Sequence, residues 1–521
     1  MSEQIKVNII GSGIGGLLAG ALLAKHGFKV NVFEARPQIG GYCTSWRRGD
    51  YLFDSSIHEM NGFFPDDGKL RIFRFLGLFK RVKLLKVPSL YSSVFKDFEF
   101  KTPHSFEEFR NKLIETFPDE KKGINKVLDA IKRISHEGYG FICEKNIFKA
   151  YLDTPIKYFS LIKYLFTSVH KLIWKNVKNP YLRSVIGQLH NYYSDGLKNL
   201  NSIYFSSATY SYFNESYGFS GTSSTLTNAL ADIIKENGGS IHTGKKARKI
   251  LFRNKKAVAI KVGENEEYYS DLTICNSPLK YTVENLIDKK DFPSRLRKLA
   301  QKVIPSTSLF SIYVGLKTDA KTLGFDEYCY FLNDIDDLEH LIVDNIHADY
   351  ENRVIVVVGY NLDDSFAPKG KTVLNVCAID NIKNWEKYRD NKEEYKKEKA
   401  RVAEIILNRI DKRFPGFKEN IEVMEIGTPL TMEKYSNNTD GAVYGASQDI
   451  MQSNLFKFPN EIKNRSLYFS GAWVNPGGGL SGVFLSANLT VNHILQKYKI
   501  RNQLDDFIYP LPKPGTTESK R

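Results

Sequence analysis

Residues 6–41 read KVNIIGSGIGGLLAGALLAKHGFKVNVFEARPQIGG, and this stretch decides the fold. Lys6–Ile10 is a short β-branched apolar run that predicts a strand. Gly11, Gly13 and Gly16 spell G-x-G-x-x-G. Leu17, Leu18, Ala21, Leu22 and Ala24 then form the packing face of a helix that Gly27 ends, and Lys29–Phe33 is a second strand closing on Glu34. Each position has a physical task. Gly11 permits the sharp turn, Gly13 lets a pyrophosphate approach the backbone, and Gly16 lets helix and strand pack closely. The helix N-terminus offers free N–H groups and a positive dipole to phosphate oxygens. Glu34 is placed to accept hydrogen bonds from a ribose 2′-hydroxyl and disfavours a 2′-phosphate. The unit predicts a dinucleotide site.

A bare G-x-G-x-x-G is weak evidence; strand, turn, helix and strand in order, with the acid at the right distance, make it strong. Beyond Glu34 the chain continues through Ala35, Arg36, Gly40 and Gly41. That extension resembles the glutathione-reductase-like flavoproteins, in which it prolongs the pyrophosphate and ribityl contacts. The resemblance implies FAD as the cofactor, held here by Gly11, Gly13, Ile14, Gly15, Gly16, Glu34, Ala35, Arg36, Gly40 and Gly41.

A second glycine-rich loop lies more than four hundred residues away, in SGAWVNPGGGLSGVFLSA (Ser470–Ala487). Pro476 and three glycines precede an apolar helical pattern, so another helix N-terminus is exposed there. Between the two ends, Gly221 opens a helical pattern running through Leu226 and Leu230 to Ile234, and Gly238-Gly239 turns into a strand.

Taken together, these blocks resemble the family of phytoene desaturases, carotenoid isomerases and retinol saturases. Phe53-Asp54 followed by Ile57-His58 looks like the saturase and isomerase branch, as do Thr428–Thr431 and the Gly441-Ala442-x-Tyr444-Gly445 segment. Gly471-Ala472 with Pro476–Gly479 and Gly482-Val483 is similar to the bacterial desaturases. The resemblance implies backbone contacts to the adenine end near Lys246 and Ala247, and contacts to the flavin end from Gly471, Ala472, Gly478, Gly479, Leu480 and Val483. Two departures stand out. Many flavoproteins of this fold carry Asp where this chain has Ala472, and bacterial desaturases often have His where it has Asn475. The first removes a ribityl contact; the second leaves the flavin-side chemistry open.

The expected fold is α/β, with a Rossmann-type, glutathione-reductase-like FAD-binding domain that is discontinuous (1–85, 216–290 and 462–500). An α+β substrate domain (86–215 and 291–461) is inserted into it, and 501–521 reads as a tail. Ser105 with Glu108 signals a helix start, and alternation predicts strands over Ser308–Leu316 and Arg353–Leu362. Residues 384–410 predict a charged helix with a solvated face. Residues 154–178 predict one basic amphipathic helix starting near Pro155. Ile156, Phe159, Ile162, Leu165, Phe166, Val169, Leu172 and Ile173 form its apolar stripe, and Lys157, Lys163, Lys171 and Lys175 lie largely off it. Such a helix suits a bilayer interface or the packing of a substrate domain.

The 521-residue chain carries a net charge of +15, which draws polyanions. No nucleic-acid motif accompanies that charge, so acidic lipid headgroups are the expected partner and nucleic acid is not. Five dispersed cysteines (Cys43, Cys143, Cys275, Cys329, Cys377) suggest a reducing compartment and neither a disulfide framework nor a metal site. The expected location is cytoplasmic, peripheral on a membrane surface; the oligomeric state stays open.

The resemblance implies an FAD-dependent oxidoreductase acting on carbon–carbon double bonds of an apolar polyene, carotenoid-like or retinoid-like, by desaturation, saturation or flavin-dependent isomerisation. An amine- or porphyrinogen-type oxidase, and a flavin-containing lipid-binding protein without turnover, are the alternatives. His58 is the first candidate for a proton donor, with Glu59 beside it. Trp473 and Asn475, just before the glycine run, complete the catalytic candidates.

Overall fold

In the computed structural model the described residues are 4–55, 57–63, 67–143, 155–194, 196–213, 215–333, 349–453 and 456–507. The N-terminal unit forms as its pattern dictates: strand β1 (Lys6–Ile10), helix α1 (Ile14–Lys25) and strand β2 (Lys29–Phe33). Every residue of α1 from Ile14 to Ala24 is buried. A helix apolar all round must be covered on every side, and α1 lies against β2, the helix Ser224–Glu236 and the C-terminal helix Gly479–Lys497. A methyl group on Gly16 would sit 2.3 Å from the Gly11 carbonyl oxygen, so the turn and the helix start tolerate no side chain there.

β1 and β2 belong to a six-stranded sheet ordered Ser240–His242, β2, β1, Leu272–Cys275, Leu467–Phe469, Glu461–Ile462. Five strands are parallel and the last is an antiparallel edge. This is the expected Rossmann-type α/β core. A three-stranded antiparallel sheet (Ala247–Arg253, Lys256–Val262, Glu266–Tyr269) packs beside it.

The largest sheet has seven strands, ordered Ile421–Gly427, Ser308–Leu316, Thr372–Asp380, Ile355–Gly359, Cys329–Leu332, Ser92–Val94, Glu99–Lys101. Its one parallel pair joins Cys329–Leu332 to Ser92–Val94, so segments more than two hundred residues apart share one sheet. The helix Lys392–Arg413 buries Val402, Ala403, Ile406, Leu407 and Ile410 against it. The opposite face meets a helical layer containing Lys121–Cys143 and Ser202–Tyr212.

Several local expectations differ in detail. Ser105 caps the helix Phe106–Thr116 by accepting from the Glu108 N–H (3.1 Å). That helix ends before Pro118, which cannot continue its hydrogen-bond ladder. The strand expected over Arg353–Leu362 is confined to Ile355–Gly359, and the charged helix starts at Lys392. Residues 508–521 of the expected tail lie outside the described residues. The part before them docks, with Phe507 edge-on to Phe75.

The predicted helix over 154–178 is not one helix. Thr154 lies outside the described residues, and the remainder is broken into helical residues 155–157, Phe159–Tyr164 and Val169–Trp174. Ser168 breaks it by capping the second helix, accepting from the Lys171 N–H (3.1 Å). The first-turn N–H groups of Val169 and His170 are taken by the Leu200 and Leu197 carbonyls. The apolar stripe splits with it. Val169, Leu172 and Ile173 are core, whereas Ile156 (91%), Phe159 (55%), Ile162 (49%) and Phe166 (59%) are exposed.

Candidate functional site

The two glycine loops meet. Ser470 Oγ donates to the Gly15 carbonyl (3.0 Å), and Asn276 Nδ2 donates to the Ser470 carbonyl (2.8 Å). Val483 of the C-terminal helix touches the Gly15 position. Gly477, Gly478 and Gly479 all have positive φ (65°, 72° and 60°). Three successive left-handed residues are strained for any side chain, and here they turn the chain directly into the Gly479–Lys497 helix, whose N-terminus no side chain caps. The N-terminus of α1 likewise has no side-chain cap.

Both uncapped helix starts open on one cavity of about 2450 Å³. Ordinary small-molecule pockets run from roughly 300 to 1,000 Å³, so this one has room for a dinucleotide and a second large ligand. Its wall includes Gly11, Gly13, Ile14, Gly15, Glu34, Ala35, Arg36, Gly40 and Gly41 from the first block. Lys246, Ala247, Ala472, Gly478, Gly479, Leu480 and Val483 come from the others. Two of the expected cofactor residues lie behind this wall. Gly16 packs on Gly11 and Gly471 packs on Asn276, and neither reaches the wall. Glu34 is also busier than expected. Its Oε2 accepts from the Ser12 N–H and Oγ (2.9 and 2.6 Å), and its Oε1 accepts from the Arg36 N–H (2.9 Å). A carboxylate still has lone pairs to spare for a ribose after three bonds.

These residues fit FAD. One uncapped helix start with Gly13 and Gly40-Gly41 stacked against each other suits a pyrophosphate, since a methyl on Gly41 would lie 3.2 Å from the Gly13 Cα. The second suits the electron-rich end of a flavin.

Beyond the glycine loops the cavity turns aromatic. Tyr192, Tyr193, Tyr204, Tyr212, Tyr313 and Tyr444 line it, and Tyr204 and Tyr444 stand against the Gly478 and Gly479 positions. His58 and Glu59 both reach it. His58 sits edge-on to Tyr192 and Tyr360, with Nε2 3.4 Å from Asn375 Nδ2. Burial pushes its pKa down to about 4, so its ring is neutral at physiological pH and has no acidic proton to give. Burial acts the opposite way on Glu59, raising its carboxyl to about 7 against a lowering hydrogen bond from Tyr212.

Trp473 is mostly core, its Nε1 donating to Asn438 Oδ1 (2.9 Å). The Asn475 N–H donates to the Phe458 carbonyl (3.2 Å) while the residue lines the cavity. Lys457 was not singled out by the sequence. It is buried on the cavity wall, its Nζ donating to the Ala446 and Ser447 carbonyls (3.2 and 3.3 Å), and burial pushes it down to about 7. Asn276, directly after the strand Leu272–Cys275, is equally invisible in the sequence. The cavity is also lined by Leu161, Ile162 and Leu165, and the half-exposed Ile162, in the same segment as the exposed Ile156, Phe159 and Phe166, marks its rim.

A Rossmann core with two facing glycine loops and one long shared cavity defines a two-layer flavoprotein. The chain belongs to the flavin-containing amine oxidoreductase family, whose sequence profile matches residues 14–495. It is a flavin-dependent oxidoreductase with FAD as cofactor. Among curated relatives it is similar to prolycopene isomerase 1 of an Oncidium hybrid cultivar, at 25% identity over 95% of this chain and 84% of that one. It is also similar to all-trans-retinol 13,14-reductase of Danio rerio (24%, over 95% and 87%). A 4,4′-diaponeurosporene oxygenase of Staphylococcus aureus is 26% identical over 93% and 97%. Among solved structures, putrescine oxidase with bound putrescine superposes with a TM-score of 0.66 at 14% identity, covering 95% of this chain and 99% of that one. An oxidoreductase of Methanosarcina mazei gives 0.60 at 18%, covering 94% and 100%. These structures share the fold.

Proposed function

We propose that this enzyme acts on carbon–carbon double bonds of an apolar polyene lipid, carotenoid-like or retinoid-like. The observation that carries the reading is the single cavity of about 2450 Å³, which continues from the cofactor crevice into a tyrosine-lined chamber and out to an apolar rim. The names of the curated relatives support it.

The chain's own residues divide the work. Gly11–Gly15, Gly40-Gly41 and the start of α1 would hold the pyrophosphate, Glu34 a ribose, and Lys246-Ala247 the adenine end. Ala472 and Gly478–Val483 would hold the flavin end, with the helix N-terminus there favouring negative charge. FAD, when bound, supplies hydride exchange. The aromatic chamber excludes water and aligns an extended hydrocarbon across the glycine loop. We read 1–85, 216–290 and 462–500 as the cofactor unit, and 86–215 with 291–461 as the substrate unit.

The rim fits a lipid surface. Ile156, Phe159, Ile162 and Phe166 expose a contiguous apolar run of the kind that marks an interaction site. Lys157 and Lys163 flank it, and Leu161, Ile162 and Leu165 connect it to the cavity. A polyene dissolved in a monolayer would enter there without crossing water. Among the described residues no helix is long and apolar enough to cross a membrane, so the association is read as peripheral.

Two experiments test the reading. Purified holoenzyme is offered phytoene, tetra-cis-lycopene and all-trans-retinol, with products separated by chromatography. At least one is expected to change its double bonds, whereas inertness toward all three, with hydrogen peroxide formed from putrescine, would replace this reading with an amine oxidase. Vesicle flotation with anionic liposomes tests the rim. Ile156→Glu with Phe159→Glu is expected to abolish flotation while FAD stays bound, and unchanged flotation would remove the rim from the account.

A further inference from the structure

The cavity wall changes character along one helix. Ser202–Tyr212 runs beside the cavity, with Ile203, Ser207 and Ser211 on the wall, about 12 Å from first to last at 1.5 Å per residue. Its start is tied to the apolar segment. Asn201 Nδ2 donates to the Leu165 carbonyl (2.8 Å), and Ser202 Oγ donates to the Tyr164 carbonyl (3.3 Å). Leu161, Leu165 and Ile203 line the cavity there. At the other end stand polar side chains. Ser211 Oγ lies 3.4 Å from Asn61 Oδ1. Ser481 Oγ, in the first turn of the Gly479–Lys497 helix, donates to the same oxygen at 3.2 Å. Asn61, Ser211 and Ser481 all line the cavity. One end of the chamber is hydrocarbon; the other is an amide with two hydroxyls.

Asn61 is the group with bonding capacity to spare. Its backbone is fixed, because Met60–Asn61 pairs with the strand Ser216–Phe219. Its Oδ1 is held by Ser481, while the Ser211 hydrogen goes to the Ala208 carbonyl (2.7 Å). Its Nδ2 has no partner among the described residues and is open rather than sealed, on a half-buried residue. An amide nitrogen carries two donors, and these are what the cavity end offers. The charged neighbours are occupied. Glu59 Oε1 accepts from the Tyr212 hydroxyl (2.5 Å), and its Oε2 is sealed. Lys69 Nζ lies 2.5 Å from Asp67 Oδ2 in a buried ion pair. A hydrocarbon seated against Asn61 strips water from the amide and returns no hydrogen bond, whereas an oxygen atom replaces what the water gave. A carboxylate there would meet a cation already neutralised by Asp67, and burying it uncompensated is costly.

We propose that Asn61 recognises a neutral oxygen, hydroxyl or carbonyl, at one end of an otherwise apolar polyene. The inference rests on the polyene reading above and narrows it to chains with one oxygenated end. The hydrocarbon end then lies along Ser202–Tyr212 toward Leu161 and Leu165. Because Asn61 is bonded to the helix start at the flavin end, it also sets which end of an unsymmetrical substrate lies beside the cofactor. Asn61 is a specificity-determining residue in this account.

The test is equilibrium binding to FAD-loaded enzyme, read by quenching of tryptophan fluorescence. The probes are all-trans-retinol, the hydrocarbon that carries methyl in place of its CH2OH group, and all-trans-retinoic acid. The wild type is expected to bind the alcohol about tenfold more tightly than the hydrocarbon, and the acid no more tightly than the alcohol. Asn61→Leu fills the same space without a donor. It should bring the alcohol down to the hydrocarbon's affinity, leave the hydrocarbon within about twofold of wild type, and keep the yellow cofactor band. Asn61→Ala, which asks less of the packing, should lose the same preference. A wild type that binds alcohol and hydrocarbon within about twofold of each other overturns the proposal and leaves the polyene reading intact. The proposal also falls if the acid binds more tightly than the alcohol, or if both variants keep the preference for the alcohol. Equal weakening of alcohol and hydrocarbon would give Asn61 a role in shape alone, and folded but colourless variants would make it a cofactor residue; either result overturns the proposal. A wild type that binds none of the three probes, nor tetra-cis-lycopene, overturns both readings.

Discussion

Glu59 makes a prediction that needs no substrate. Its carboxyl ionises near the ordinary value of 4.5 when the chain is unfolded and near 7 in the fold. Across that window the native protein holds the proton more tightly than the unfolded chain, so stability falls as pH rises from about 4.5 to about 7. A shift of about 2.5 units corresponds to roughly 3 kcal/mol, at 1.36 kcal/mol per unit. Glu59→Gln keeps an acceptor for Tyr212 and cannot ionise. The variant carries a constant difference at all pH, from the amide placed where Oε2 stood. On top of that, its stability relative to wild type should climb by roughly 3 kcal/mol between about pH 4.5 and pH 8. His58 and His190, both pushed down to about 4 by burial, destabilise the fold as pH falls below about 6.5, equally in both proteins, and cancel in the comparison. Urea unfolding of the two holoproteins, followed by release of flavin fluorescence across this range, measures the difference. A difference that stays flat within about 0.5 kcal/mol, the ordinary scatter of such mutant comparisons, would refute the assignment of a proton to Glu59.

Gly16→Val should abolish FAD binding, because even its Cβ meets the Gly11 carbonyl at 2.3 Å; a colourless purified protein is the expected readout. Lys457→Met removes a buried amine pushed down to about 7. Charging that amine inside the fold costs most below about pH 7, so the stability gain from methionine should be largest there and shrink as pH rises toward 10.5, read from thermal midpoints. Asn276→Ala deletes the bond that fastens Ser470 beside Gly15 and should cost about 1–3 kcal/mol with weakened FAD retention on gel filtration. Val169→Glu, in the core half of the segment expected to be one helix, should unfold the protein, whereas Phe159→Glu in its exposed half should leave thermal stability within about 0.5 kcal/mol of wild type.

The cofactor half of the molecule was legible because its signals are local. Gly11, Gly13 and Gly16 act on neighbours within one turn, and the alternation of Ser308–Leu316 needs nothing beyond its own nine residues. The 154–178 segment failed for a physical reason: an apolar stripe looks the same whether core or lipid covers it. Ser168 gave no sign that it would cap a second helix, since its role depends on Leu197 and Leu200 drawing the next two N–H groups away. The site chemistry was hidden for the same reason. His58 and Glu59 are sequence neighbours with opposite shifts, and both shifts come from burial under aromatics contributed more than a hundred residues away. Lys457 and Asn276 matter through contacts that no spacing rule encodes.

The strand Leu467–Phe469 sits inside the six-stranded sheet, beside Leu272–Cys275, and the helix after it covers α1. A nascent chain that has made the whole N-terminal β1–α1–β2 unit, and nearly everything after it, still lacks an interior strand of that sheet and the lid over its first helix. Non-local pairing of this kind is slow and leaves apolar surface open meanwhile. FAD retention should therefore behave as a completion signal in synthesis: chains stopped anywhere before the C-terminal helix emerge colourless and become protease substrates, and cofactor supply during translation sets how many finished chains survive.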